Sequence, residues 1–181
     1  MKLWLVRHAQ PLIASGVCYG ATDVASDPQA TLEAAQTLAK VLPDGVSVLV
    51  SPLERCDQLA RCLRQLRPDL TYHKDARLAE MDFGHWEGRR WDSIPQADFD
   101  RWMADFSDHR FGGKMSVHDL MLRVTSLWDE TQGRGIDAAW ITHVGVIRAA
   151  TLISRGERRV HQAAQWPRDA FAFGHWCELE V

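Results

Sequence analysis

Four stretches of this chain carry side chains suited to work on a phosphate-like anion: Arg7-His8, Ser51-Pro52 with Arg55 close behind, the carboxylate-rich run from Glu80 to Glu87, and Thr142-His143. Arginine presents a planar fork of donors that matches phosphate oxygens and stays charged at any working pH. Histidine can be a nucleophile that splits a difficult displacement into two easier steps. A carboxyl group beside them can protonate a leaving oxygen and then deprotonate water. Taken singly, each has an ordinary explanation. Arg-His can be the polar end of a strand, Arg55 an exposed arginine, and Asp82 and Glu87 solvated turn carboxylates. Only convergence would make them a site.

Two histidines also raise the question of a metal. The chain has no H-x-x-x-H or H-E-x-x-H spacing, and the arginines beside His8 and His143 would repel a divalent cation, so no metal is expected. His73, His85, His109, His118, His161 and His175 lack comparable neighbours and read as surface or satisfied histidines.

Convergence requires elements that end in the right places. Residues 3–6, 47–50 and 138–142 are short apolar runs, each closed by a polar turn, as buried strands of a parallel sheet are. Arg7-His8, Ser51-Pro52 and Thr142-His143 stand at their carboxyl ends, outside which ligands of open α/β sheets sit. Between them the pattern predicts a helix at about 29–42, with Leu32, Ala35, Leu38, Ala39 and Leu42 at helical spacing and Pro43 as its stop. A second helix begins near Leu53 and carries Arg55 in its first turn, where the helix N-terminus already favours an anion. Residues 70–73 read as a short edge strand, and residues 77–88 as a broken loop on a rigid scaffold. Residues 91–106, interrupted by Pro95, suggest two short helices in a lid. Phe111-Gly112-Gly113 marks a hinge or turn. Ser116 with Asp119 resembles a capping box opening a helix to about Glu130, closed by Gly133 to Gly135. Residues 171–181 alternate like a last strand. The reading is a three-layer α/β/α sandwich with a mainly parallel central sheet: a single domain over residues 1–181 with a lid insertion at about 91–114.

Leu5-Val6-Arg7-His8-Ala9, Ser51-Pro52-Leu53-Glu54-Arg55, the run from Glu80 to Gly88, and Thr142-His143-Val144-Gly145-Val146-Ile147-Arg148 together resemble the histidine phosphatase (phosphoglycerate mutase-like) superfamily, in the family's order and over most of the chain. The resemblance implies His8 as a phosphorylated nucleophile and Glu80 as proton donor and later base. It implies Arg7, Arg55 and His143 as ligands of the phosphoryl oxygens, His143 counting among the catalytic groups as well. No cofactor is implied. Cys18-Tyr19-Gly20-Ala21-Thr22-Asp23-Val24 and the 80–84 loop are similar to α-ribazole phosphatases, which remove the 5′-phosphate of α-ribazole phosphate or of cobalamin phosphate. Gln10 and Thr22 are candidate substrate-loop residues. Ala9, where the family usually has glycine, Pro11, and Lys114-Met115 in place of the family's glutamate depart from its pattern. A broad-specificity phosphatase is the main rival. A phosphoglycerate mutase-like enzyme and a non-catalytic phosphate binder follow.

Composition narrows the partners. With 21 basic against 24 acidic residues the net charge is -3, so no general polyanion surface is indicated and phosphate affinity must be local. The expected partner is a small phosphate monoester, with neither nucleic acid nor membrane; oligomeric state is left open. The chain opens directly on a strand pattern rather than a signal peptide, and its four cysteines lack C-x-x-C spacing. Reduced thiols and a cytoplasmic location are the expectation.

Overall fold

The computed structural model describes residues 1–169 and 171–181. Lys2–Arg7 (β1), Ser47–Val50 (β2), Thr71–Lys74 (β3), Ala138–Thr142 (β4) and Trp176–Glu180 (β5) form one sheet in the order β3-β2-β4-β1-β5. The first four are parallel, and β5 closes the free side of β1 in antiparallel register. β1, β2 and β4 are apolar without interruption because helices cover both faces of the sheet. Leu3 and Leu5 point into one core, with Trp140, while Trp4 and Val6 point into the other, with Ile141. The three strands expected to be neighbours are neighbours, with β4 between the other two.

Helices α1 (Pro28–Ala39) and α2 (Glu54–Leu66) cover the Trp4/Val6 face; α4 (Val117–Arg134) and α5 (Val144–Ser154) cover the Leu3/Leu5 face. Asp27 caps α1 through its side chain, with Pro28 at the first helical position. Ser116 and Asp119 form the expected capping box of α4. Among the described residues, no helix is long and apolar enough to cross a membrane.

Several boundaries differ from expectation. Helix α1 stops at Ala39, and its buried stripe is Thr31, Ala34, Ala35 and Leu38, leaving Leu32 in solvent. Small side chains let α1 lie close to α2, and the Thr31 hydroxyl can be buried because it donates to the Asp27 carbonyl. Helix α4 runs past Glu130 to Arg134; Gly133 lies within it, and Gly135, at a left-handed φ of 64°, ends it. The final strand begins only at Trp176, so Phe171 and Phe173 belong to a loop that folds over the ends of β1 and β4. In the region read as a lid, a short 3-10 turn, Trp91–Ser93, precedes α3 (Gln96–Ala104), and Pro95 separates the two as expected.

Candidate active site

The site begins with strand register. Arg7 pairs with Thr142 at the carboxyl ends of β1 and β4, and the His8 N–H donates to the Thr142 carbonyl at 3.1 Å. On the other side of β4, the Ser51 N–H donates to the Ile141 carbonyl at 2.9 Å. His8, Ser51 and His143 therefore leave the sheet side by side, all buried, with the two imidazole centroids 5.2 Å apart. The two histidines open into a cavity of about 380 Å³ whose polar end also holds Arg7, Arg55, Glu80, Tyr19 and Arg148.

His8 Nδ1 lies 2.8 Å from the Ala9 carbonyl oxygen. A carbonyl only accepts, so Nδ1 carries the proton and the neutral ring keeps its lone pair on Nε2. Burial, reinforced by the charges of Arg55 and Arg7, lowers the His8 pKa to about 3. The ring is thus neutral throughout the ordinary pH range, with the lone pair of Nε2 available. Beside it, the Arg7 Nη1 donates to the Phe171 carbonyl, and the guanidinium lies 3.7 Å from the centroid of the Phe173 ring. Arg7 Nε is buried without a partner among the described residues, a donor free for a ligand.

Arg55 is fully buried, and each of its nitrogens is used: Nε donates to His143 Nδ1 at 3.1 Å, Nη1 to the Thr22 carbonyl at 2.8 Å, and Nη2 to the Gly20 carbonyl at 2.6 Å. Guanidinium only donates, so His143 Nδ1 must accept, and the His143 proton sits on Nε2, 2.8 Å from Ser51 Oγ. Burial, followed by the Arg55 charge, pushes the His143 pKa well below the ordinary histidine value. His143 is a neutral ring that orients Arg55. To donate to a phosphoryl oxygen, its Nε2–H must leave Ser51.

Glu80 arrives from the loop after β3. Its Oε2 accepts from the Gly145 N–H at the start of α5 at 3.0 Å, and its Oε1 from the Met81 N–H at 3.0 Å. A Cβ on Gly145 would collide with Glu80 Oε1, so the glycine permits this approach. Arg123 of α4 holds the loop from behind, its Nη1 donating to the carbonyls of Arg77 at 3.0 Å and Ala79 at 2.6 Å.

Away from the polar end the cavity wall is apolar and largely aromatic, formed by Phe83, Trp91, Trp102, Phe106 and Trp166 with Val117 and Leu120. Phe111 does not line it. That ring is fully buried and stacks on Trp102 at 4.4 Å. Gly112 and Gly113 follow with φ of 81° and 86°, completing the expected turn.

The structure brings His8, Arg7, Arg55, Glu80 and His143 together. Gln10 is exposed and borders a different hollow, while Thr22 turns its hydroxyl to Glu87; neither lines the cavity. Sequence reasoning missed Tyr19, Arg148 and Trp166, and treated Glu87 as solvated. Tyr19 stood beside Thr22 in a stretch already singled out, and a sequence cannot say which of the two faces inward. Trp166 lies in a segment with no periodicity to mark it. Among the described residues, no group of three or more His, Cys, Asp or Glu side chains could hold a metal ion.

Residues 3–168 match a family model described as histidine phosphatase superfamily (branch 1). No curated protein matches the sequence. Solved structures share the fold. Glucosyl-3-phosphoglycerate phosphatase, a mycobacterial protein, has a TM-score of 0.79 at 21% identity, over 98% of this chain and 88% of the other. The α-ribazole phosphatase of Shigella flexneri has 0.77 at 22%, over 100% and 91%. A phosphoserine phosphatase from Entamoeba histolytica, in complex with 3-phosphoglyceric acid, has 0.77 at 18%, over 98% and 89%.

Proposed function

The chain belongs to the histidine phosphatase superfamily, and from that membership we propose that it is a phosphomonoesterase working through a phosphohistidine on His8. The observation that carries this reading is the state of His8: neutral, its proton committed to the Ala9 carbonyl, its Nε2 opening into a cavity shared with Arg7, Arg55 and Glu80. In the first step Nε2 attacks phosphorus. The P–N bond forms as the ester P–O bond breaks, and Glu80 delivers a proton to the departing oxygen. In the second step Glu80 takes a proton from water, whose oxygen attacks phosphorus, and the P–N electrons return to His8. Arg7 and Arg55 neutralise the equatorial oxygens, and His143 adds its Nε2–H by exchanging Ser51 for a phosphoryl oxygen. No cofactor enters these steps.

The substrate we favour is α-ribazole phosphate or cobalamin phosphate. The motif from Cys18 to Val24 supports this, as does the fold shared with an α-ribazole phosphatase. The alcohol would be read by the lid at residues 91–114, which supplies Trp91, Trp102 and Phe106 to the wall. That wall also supports a second reading, a broader phosphatase of esters with apolar alcohols. Turnover of α-ribazole phosphate against a panel of aryl and alkyl phosphates separates the two.

Rapid quench with labelled substrate tests the chemistry. Acid-labile label is expected on the wild type and on Glu80→Gln, and none on His8→Ala. Glu80→Gln should be slow with alkyl esters and much less impaired with p-nitrophenyl phosphate, whose leaving group departs without a proton. Label on His8→Ala, or equal Glu80→Gln losses across leaving groups, would overturn the assignment.

A further inference from the structure

We propose that Glu87, which does not line the cavity, is a positioning residue for Arg55, acting through the turn formed by Gly20, Ala21 and Thr22. Its carboxylate accepts from the N–H groups of Gly20 (2.9 Å to Oε2), Ala21 (3.0 Å to Oε1) and Thr22 (3.1 Å to Oε2), and from the Thr22 hydroxyl. A further bond from the Phe83 N–H, at 2.9 Å, ties in the opposite loop. The other ends of the same turn face Arg55, whose Nη2 and Nη1 donate to the carbonyls of Gly20 and Thr22. The turn is clamped between an anion holding its N–H groups and a cation holding its carbonyls. In the peptide unit that joins Gly20 to Ala21, the carbonyl accepts from Arg55 and the N–H donates to Glu87, so each charge polarises that unit toward the other and the two bonds strengthen one another.

Three features distinguish this from a solvated turn acid. Burial alone would raise the Glu87 carboxyl, yet the bonds from Thr22, Gly20, Phe83 and Ala21 hold it below the usual glutamate range. A Cβ on Gly20 would collide with the Met81 carbonyl, so the turn is pressed against the loop that bears Glu80. Arg55 has lost its freedom to choose partners: Nε is fixed by His143 and both terminal nitrogens by the clamped carbonyls. Its remaining N–H bonds are therefore aimed by the turn, and the turn is set by Glu87. Such pre-aiming lowers the reorganisation needed when an oxyanion arrives.

The inference rests on the reading of Arg55 as a phosphoryl ligand, and its test separates the two. Glu87→Gln and Thr22→Val are made in the wild-type and Arg55→Ala backgrounds. Affinity for inorganic phosphate is measured by calorimetry and folding by thermal melting. In the wild-type background Glu87→Gln should weaken phosphate binding by roughly tenfold to a hundredfold, as the loss of a partner that orients a ligand commonly does. Thr22→Val, which removes one neutral donor, should weaken it about fivefold. Neither should cost anything further once Arg55 is alanine, because the coupled effect has no route left. Equal losses in both backgrounds, or unchanged affinity in a folded variant, would overturn the positioning role while leaving Arg55 a ligand. If Glu87→Gln fails to fold, Thr22→Val decides alone by the same criteria. Should Arg55→Ala itself bind phosphate like the wild type, both the inference and the reading of Arg55 fall.

Discussion

The protonation of His8 follows from one hydrogen bond, its burial and the charges of Arg55 and Arg7. With Nδ1–H fixed on Ala9 and the pKa lowered to about 3, the ring should show no titration near the ordinary 6.5 in the native enzyme. Nitrogen-15 NMR of labelled histidine checks this: Nε2 should keep the shift of an unprotonated nitrogen from pH 8 to about pH 4. A midpoint near 6.5 would refute the assigned state. Gly145 gives a second test. Adding a methyl group there drives Glu80 off the start of α5. With Glu80 as the proposed general acid, Gly145→Ala should therefore lower kcat on alkyl phosphates by about a hundredfold, the ordinary contribution of such a group. With p-nitrophenyl phosphate the loss should be much smaller. Steady-state kinetics across leaving groups makes the comparison, and uniform loss would assign Gly145 a purely structural part.

At the scale of elements, the sheet supplies the polar end of the cavity and the connecting segments supply the rest. The 91–114 region is built around Phe111, whose ring meets Trp91, Phe99 and Trp102, so its aromatic residues divide into a support and a lining. Substitutions should divide the same way. Trp102→Ala should raise KM for aryl phosphates about tenfold, through lost stacking and apolar area, and leave inhibition by inorganic phosphate unchanged. Phe111→Ala should instead unfold the region, costing about 3–5 kcal/mol as truncation of a buried phenylalanine does. Inhibition constants and urea midpoints, measured on both variants, distinguish a substrate wall from a packing core.

For the whole molecule, two buried neutral histidines couple the site to stability. The unfolded chain protonates histidine near 6.5, whereas folded His8 does so only at about 3 and His143 well below its ordinary value. Between those limits the unfolded state binds more protons, so stability rises with pH and is lost as pH falls from about 6.5 toward 3. Each histidine contributes a slope of about 1.4 kcal/mol per pH unit inside its window. His8→Gln should flatten the fall in urea midpoint between pH 6.5 and pH 4.5, leaving the part due to His143; an unchanged slope would show that His8 titrates alike in both states. The sequence by itself determined the sheet's inner strands and the groups at their ends. An apolar run covered on both faces has one reading, and its terminating Arg7-His8 and Thr142-His143 need no distant partner to be placed. It was equally sufficient for local devices, such as the Ser116–Asp119 box, whose partners lie within one turn. Tertiary structure alone decided what depends on contacts between distant segments. Glu87 reads as a solvated acid until the turn at Gly20 meets it from across the chain. Leu32 reads as core until small residues bring α1 close to α2. Phe171 and Phe173 alternate like a strand, yet among the described residues no strand pairs with them there, and Arg7 claims the Phe171 carbonyl instead. Which of Tyr19 and Thr22 faces the cavity was decided by Glu87, which accepts the Thr22 hydroxyl and leaves Tyr19 toward Arg7. Periodicity records burial along one element, whereas these choices are made between elements by hydrogen bonds that sequence spacing does not encode.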